Sequence, residues 1–163
     1  MRFARKYLFV SVIGLVGFVA GWVVSRADDM ASGSAVVPTK LTRADLAGAA
    51  FTNFSSVKTT HEEAGQTWDT VDAEIFLSPD RQFDAGVYKS GPLAMDIAEP
   101  YGVQEFMYFL EGRVVLTSLD GSKIDVQAGE AVMISADWQG RWESPEGYRK
   151  IYVIYSPDGP LVE

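Results

Sequence analysis

The chain has 163 residues, of which 47% are apolar and 12% aromatic, which is enough for one domain with a packed core. The net charge is -8, and every acidic residue lies at or after Asp28, so phosphate backbones are repelled and nucleic acid is excluded as a partner. There is no cysteine and a single histidine, His61, which excludes disulfides and thiolate sites and argues against histidine-rich chemistry.

The N-terminal residues 1–27 have the composition of a membrane-directed segment. Arg2, Arg5 and Lys6 are followed by residues 7–24, which carry no charge. An apolar stretch of this length can cross a bilayer as a helix, and positive charge on its leading side predicts a cytoplasmic N-terminus. The sequence therefore predicts an inner-membrane anchor, with the rest of the chain on the extracytoplasmic, periplasmic side.

A cleaved signal peptide is the alternative for the same segment. Small residues around Arg26 would allow cleavage after Ala27 and export of the remainder. Both alternatives place the following residues outside the cytoplasm. Residues 28–40 are small, polar and contain a proline, and they predict a linker to a domain at 41–163.

Helical signals are confined to the start of this domain. Thr42 can cap a short helix with Asp45 in its first turn. Between Phe51 and Trp68 the pattern is weak and predicts loops with at most one strand, so His61 is interpreted as a surface or loop residue.

From Ala73 the pattern changes to short β-strands separated by turn sequences such as Ser78-Pro79-Asp80 and Asp120-Gly121. Regular spacing of short strands is typical of a sandwich or barrel. The predicted strands are 73–77, 83–89, 93–98, 105–110, 113–118, 124–126, 131–135, 140–143 and 149–155.

Two stretches resemble the conserved motifs of cupins. Residues 104–114 resemble the first motif and residues 128–138 the second. The continuation at 140–143 and 149–154 resembles the cupin subfamily with ureidoglycine aminohydrolase-like domains. The resemblance implies an all-β fold: a single cupin (jelly-roll) β-barrel, with its motif-bearing core at 73–155, preceded by one N-terminal hydrophobic helix.

The resemblance also implies where a metal would bind. Metal-binding cupins supply two histidines and a glutamate from the first motif and a third histidine from the second. Glu105 matches the glutamate, but the histidine positions hold Glu99, Tyr101 and Gly140. We therefore expect no cofactor, and a divalent Mn or Zn ion has only Glu99, Tyr101 and Glu105 as weak candidate ligands.

Strand alternation predicts what else faces the interior. If Glu105 points inward, so do Met107 and Phe109, and Trp142 shares the direction of Gly140. These side chains would either fill a solid core or floor a ligand pocket with Glu99, Tyr101 and Glu105 at its mouth. An inward carboxylate needs a partner or stays protonated; the candidate partners are Tyr101, Arg141, Trp142, Arg149 and Lys150.

Three hypotheses about function follow. The first is a non-catalytic extracytoplasmic cupin that binds a small polar metabolite, or a partner protein, through Glu99, Tyr101, Glu105, Met107, Phe109 and Trp142. The second is a divergent ureidoglycine aminohydrolase-like hydrolase with Glu105 as its candidate catalytic residue, with or without a metal. The third is a structural module that forms a homodimer, as the resemblance to cupins implies.

Overall fold

A computed structural model describes residues 37–161. The predicted hydrophobic helix, the cleavage site near Ala27 and most of the linker lie outside the described residues. Within 37–161, no helix combines the length and the apolar character needed to cross a bilayer.

The described chain begins with a short helical segment, residues 45–53, made of a π-helical turn (Asp45–Ala49) and α1 (Ala50–Asn53). Thr42 caps it as the sequence predicts: the backbone N–H of Asp45 donates to Thr42 Oγ1 at 3.2 Å. The Asp45 carboxylate accepts in return from the backbone N–H of Thr42 at 2.8 Å. This reciprocal pairing satisfies donors that the helix itself leaves free.

Nine antiparallel strands follow within the described residues and form one curled, cupin-like sheet, a half-barrel. Their bounds are β1 (Ser56–Glu63), β2 (Gln66–Leu77), β3 (Phe83–Ser90), β4 (Leu93–Ile97), β5 (Gln104–Ser118), β6 (Lys123–Gln127), β7 (Ala131–Ile134), β8 (Gly140–Ser144) and β9 (Tyr148–Tyr155). The hydrogen-bonded order is β1-β2-β3-β9-β5-β8-β4, and β6 and β7 also pair with β5.

The β1–β2 hairpin departs from the sequence prediction. Its turn is Ala64-Gly65, both with positive φ (48° and 78°), which suits a two-residue hairpin loop. The prediction of loops with at most one strand over 51–68 understates the strands, because β1 has a single apolar side chain, Val57, and all of its side chains are exposed or half-buried. His61 is thus a strand residue.

β5 is one long strand where the sequence predicted two. The break expected at Glu111-Gly112 is instead an irregularity in pairing with β9, where the register shifts between Phe109 and Glu111. The strand pairs with β7 and β9 up to Gly112 and with β6 and β8 from Arg113 onward. β5 therefore passes from one end of the half-barrel to the other and carries the interior residues.

The core lies on the concave face of the sheet, where aliphatic and aromatic side chains from β2, β3, β4, β5, β8 and β9 are buried together. The helical segment covers part of the opposite, convex face, where Ala50 packs with Ala73 and Val87.

Candidate functional site

Glu105 lies at the centre of the concave face. Its side chain is 0% exposed, as are those of Met107 and Phe109, because alternate residues of β5 point to the same side of the sheet. Trp142 on β8 is buried as well. Four of the residues selected from the sequence therefore line one interior.

The partner of Glu105 is Lys150 on β9. Lys150 Nζ lies 2.6 Å from Glu105 Oε1, and the lysine is only 4% exposed. The ammonium also lies 3.1 Å from Met107 Sδ. Tyr101 donates its hydroxyl proton to the other carboxylate oxygen, Oε2. Both oxygens of Glu105 are thus engaged, which satisfies the need of an inward carboxylate for partners.

Three aromatic rings surround the Lys150 ammonium. Its Nζ lies 5.3 Å from the ring centre of Tyr88, 5.5 Å from Trp142 and 5.9 Å from Tyr148. These distances allow cation–π attraction, which is strengthened where water is excluded. Burial raises the pKa of the Tyr148 hydroxyl well above its ordinary value, so this ring stays neutral. We call Tyr88, Glu105, Trp142, Tyr148 and Lys150 the lysine cage.

One polar atom of the cage has no partner. The indole Nε1 of Trp142 is buried and has no hydrogen-bond acceptor among residues 37–161. A buried N–H without an acceptor is costly, and native proteins hold few of them. The indole N–H is therefore an unused donor inside the cage.

A second polar group lies next to the lysine cage on the same face. The Tyr152 hydroxyl lies 3.0 Å from Asp72 Oδ1 and 3.4 Å from both oxygens of Asp84. Burial, which disfavours the charged form, raises the pKa of Asp72 to about 7 and that of Asp84 to about 6. Neither carboxylate was predicted as a site residue, although Asp84 and Tyr88 lie four residues apart on β3 and therefore face the same side of the sheet.

The remaining candidates do not join the cage. Glu99 is exposed in the loop before β5. A Cβ at Gly140 would lie 2.2 Å from the carbonyl oxygen of Thr117, so no side chain fits there on this backbone. Within residues 37–161 no three His, Cys, Asp or Glu side chains lie together as metal ligands would. The geometry therefore fits a lysine ammonium beside Glu105 and does not fit a cupin metal centre.

His61 lies on β1 at the margin of the concave face. Its ring stacks on Trp68 with centres 5.0 Å apart, and Nε2 lies 3.0 Å from Thr70 Oγ1. Burial lowers the pKa of His61, which favours its neutral form. Its contacts are those of a packed strand residue and not of a loop.

Residues 77–152 match the family model of the EutQ-like cupin domain. No curated protein matches the chain. A structure of a Pseudomonas syringae pv. tomato protein of unknown function is similar, with 25% identity and a TM-score of 0.54 over 60% of this chain, and the match spans only 44% of that protein.

Two further solved structures are similar to parts of this chain. The EutQ protein of Clostridium difficile is 22% identical with a TM-score of 0.46, covering 56% of this chain and 71% of that one. A Rhizobium leguminosarum bv. viciae protein of unknown function is 19% identical with a TM-score of 0.48, covering 74% and 99%. The family model and the curled sheet together support a cupin-type domain over residues 77–152.

Proposed function

We propose that this cupin-domain protein is a non-catalytic module that binds a small polar molecule at the lysine cage without a metal. The observation that carries the proposal is the cage itself. A charged pair, Glu105 and Lys150, lies beside aromatic rings, and the indole N–H of Trp142 next to them has no acceptor within residues 37–161. Aromatic surface with a few converging polar groups is the usual composition of a small-molecule site.

Hydrolysis is the less favoured alternative. A general base must reach the proton of its substrate, and the two Glu105 oxygens are held by Lys150 and Tyr101. The ureidoglycine aminohydrolase-like assignment rests on the resemblance of 140–143 and 149–154 alone. Turnover of a ureide by purified protein, abolished by Glu105→Gln, would favour this alternative.

The compartment is also a proposal. The uncharged residues 7–24 behind three positive charges support an inner-membrane anchor or an export signal, with the domain on the periplasmic side. The intact mass of the mature protein distinguishes the two, because cleavage after Ala27 removes the segment. Digestion of the domain by protease added to spheroplasts tests the orientation, and a cytoplasmic marker is the control.

Ligand binding is tested by thermal-shift screening of the full-length chain against small polar metabolites. A ligand at one hundred times its Kd stabilises a protein by about 2.7 kcal/mol. The stabilisation should disappear in the double variant Glu105→Gln/Lys150→Met. It should persist in Arg113→Met/Asp125→Asn, which removes an exposed ion pair (Nε–Oδ1 2.7 Å). If no compound stabilises the wild type, the proposal fails.

A homodimer is a second proposal, supported by the convex face. The helical segment covers part of this face, but large apolar side chains on β2, β3, β5, β7 and β9 stay exposed: Phe76, Phe83, Phe106, Tyr108, Met133 and Tyr155. We call these six residues the convex patch. Exposed apolar patches that cross several strands mark protein interfaces. A second copy of the chain is the occupant we propose, because each copy presents the same apolar surface.

A further inference from the structure

The lysine cage holds more N–H donors than its single carboxylate can accept from. The Lys150 ammonium carries three N–H groups, of which one points to Glu105 Oε1 at 2.6 Å and another to the weak acceptor Met107 Sδ. Trp142 adds an indole N–H with no acceptor among residues 37–161. The two Glu105 oxygens are already used by Lys150 and Tyr101. No carboxylate oxygen of the cage is therefore left for the indole N–H.

The charges on the concave face restrict the kind of acceptor. Lys150 is the cation paired with Glu105, and neither Asp72 nor Asp84 contacts a lysine or arginine within the described residues. The raised pKa of each aspartate, about 7 and about 6, reflects how poorly this interior tolerates negative charge. An anionic ligand would add to the acidic surplus. A cationic ligand would compete with the Lys150 ammonium for the rings and for Glu105.

We propose that the ligand of the lysine cage is a small uncharged molecule whose carbonyl oxygen accepts from Trp142 Nε1 and Lys150 Nζ, with its apolar part against Tyr88 and Tyr148. This inference rests on the proposed function and names the chemical class of its ligand. The two donors belong to neighbouring side chains, because Lys150 Nζ lies 5.5 Å from the centre of the Trp142 ring.

Three isosteric probes test the charge of the ligand: acetamide, acetate and acetamidinium have the same planar shape and are neutral, negative and positive. The readout is the indole ¹⁵N–¹H signal of Trp142 in the full-length chain, purified in a mild detergent because of residues 7–24. The chain has four tryptophans, and Trp142→Phe identifies the signal by its loss. We expect acetamide to shift this signal downfield in a saturable way, with acetate and acetamidinium at least about tenfold weaker.

Two variants test the hydrogen bond itself. Trp142→Phe keeps an aromatic ring but removes the donor, and it should weaken acetamide binding by about three- to tenfold, the range expected for one hydrogen bond. Trp138→Phe is the matched control, because its Nε1 already donates to Ser118 Oγ at 3.2 Å. This variant should bind acetamide as the wild type does.

The outcomes separate this inference from the proposed function. Tighter binding of acetate or acetamidinium would overturn the uncharged class and leave ligand binding at the cage intact. Undiminished acetamide binding by Trp142→Phe would overturn the role of the indole. If a metabolite stabilises the chain through the cage while acetamide leaves the Trp142 signal unmoved, the inference fails and the proposed function stands. If no probe or metabolite binds, both fail.

Discussion

Lys150 and Glu105 form an ion pair inside the half-barrel, with Nζ 2.6 Å from Oε1 and exposures of 4% and 0%. Each charge is tolerable there only because the other lies beside it and because Tyr101 donates to the second carboxylate oxygen. Removing one member of the pair therefore leaves a buried charge without a partner, whereas removing both members leaves no buried charge.

The first prediction concerns this pair. Lys150→Met keeps the length of the side chain but leaves the Glu105 charge buried without a cation, so we expect a loss of about 3–5 kcal/mol in the free energy of unfolding. The double variant Lys150→Met/Glu105→Gln should recover most of the loss, because no charge remains to be compensated. Urea unfolding followed by tryptophan fluorescence measures both.

The exposed pair Arg113–Asp125 is the matched control for this measurement. Its Nε–Oδ1 and Nη2–Oδ2 distances are both 2.7 Å, yet the two side chains are 48% and 42% exposed. Arg113→Met should therefore cost less than about 1 kcal/mol. A double variant at 105 and 150 as unstable as Lys150→Met alone would show that the loss does not arise from an unpaired charge.

The second prediction is a pH dependence centred on Asp72. Its pKa is raised to about 7 in the folded chain by burial, so the folded state holds a proton that the unfolded state releases near pH 4. The contribution of the protonated Asp72 carboxyl to the free energy of unfolding is fully present below about pH 4, and it is lost as the pH rises to about 7. Asp72→Asn is neutral at every pH, so the variant should become more stable relative to wild type across this window and stay so above it.

The groups that face Asp72 also affect its pKa. Tyr152 donates to it, Asp84 and Glu74 repel its charge, and Lys150 attracts it. Because the pKa of Asp84 is raised to about 6, Asp84→Asn should act in the same direction over a narrower window. Asp137→Asn, at an exposed position, should leave the pH profile parallel to that of the wild type. A stability difference between Asp72→Asn and wild type that does not change between pH 5 and pH 8 would contradict the assignment.

The sequence predicted the strands from Ala73 onward because their alternation is strong, as in β9, where every second residue from Tyr148 to Ile154 is buried. It allowed a strand near β1 but gave no bounds for it, because seven of the eight side chains of β1 are polar and hide the alternation. The inward direction of Glu105, Met107 and Phe109 follows from strand geometry. Which of the five candidate residues becomes the partner of Glu105 depends on the β5–β9 register, which pairs Phe109 with Lys150. Register between strands 41 residues apart is set by the whole sheet, so it could not be read locally.

The third prediction concerns Gly140, the position at which the resemblance to cupins would place a histidine. A Cβ there meets the Thr117 carbonyl oxygen at 2.2 Å, so Gly140→Ala should cost about 1–3 kcal/mol through forced separation of β5 and β8. Gly91→Ala is the control, since its Cβ would find only ordinary contacts at 3.6 Å and beyond. Urea midpoints of the two variants give the comparison, and equal stability would show that position 140 has room for a side chain.

The fourth prediction concerns metal binding. Glu105 is held by Lys150 and Tyr101, and Glu99 is exposed away from it, so an incoming Mn²⁺ or Zn²⁺ would have to displace the ammonium. We expect protein purified without chelators to carry less than stoichiometric metal by elemental analysis. Added Mn²⁺ or Zn²⁺ should leave the melting temperature unchanged. One equivalent of tightly held metal would contradict the pairing of Glu105 with Lys150 and would favour the hydrolase alternative.

The fifth prediction tests the convex patch. Phe106 and Met133 are directly paired across β5 and β7, so the double variant Phe106→Lys/Met133→Lys places two positive charges at one point of the proposed interface. Light scattering after size exclusion should give a dimer for the wild type and a monomer for the variant. Both side chains are already exposed, so the substitutions should change stability little, and circular dichroism should confirm the fold.

Leu119→Lys is the control for this experiment, because Leu119 is 76% exposed in the turn between β5 and β6 and lies outside the convex patch. The same apolar-to-lysine change there should leave the dimer intact. Charge added to an apolar interface opposes association only where the partner would desolvate it, so a selective effect of residues 106 and 133 identifies the face. A monomeric wild type, or dissociation by Leu119→Lys as well, would refute dimerisation through the convex patch.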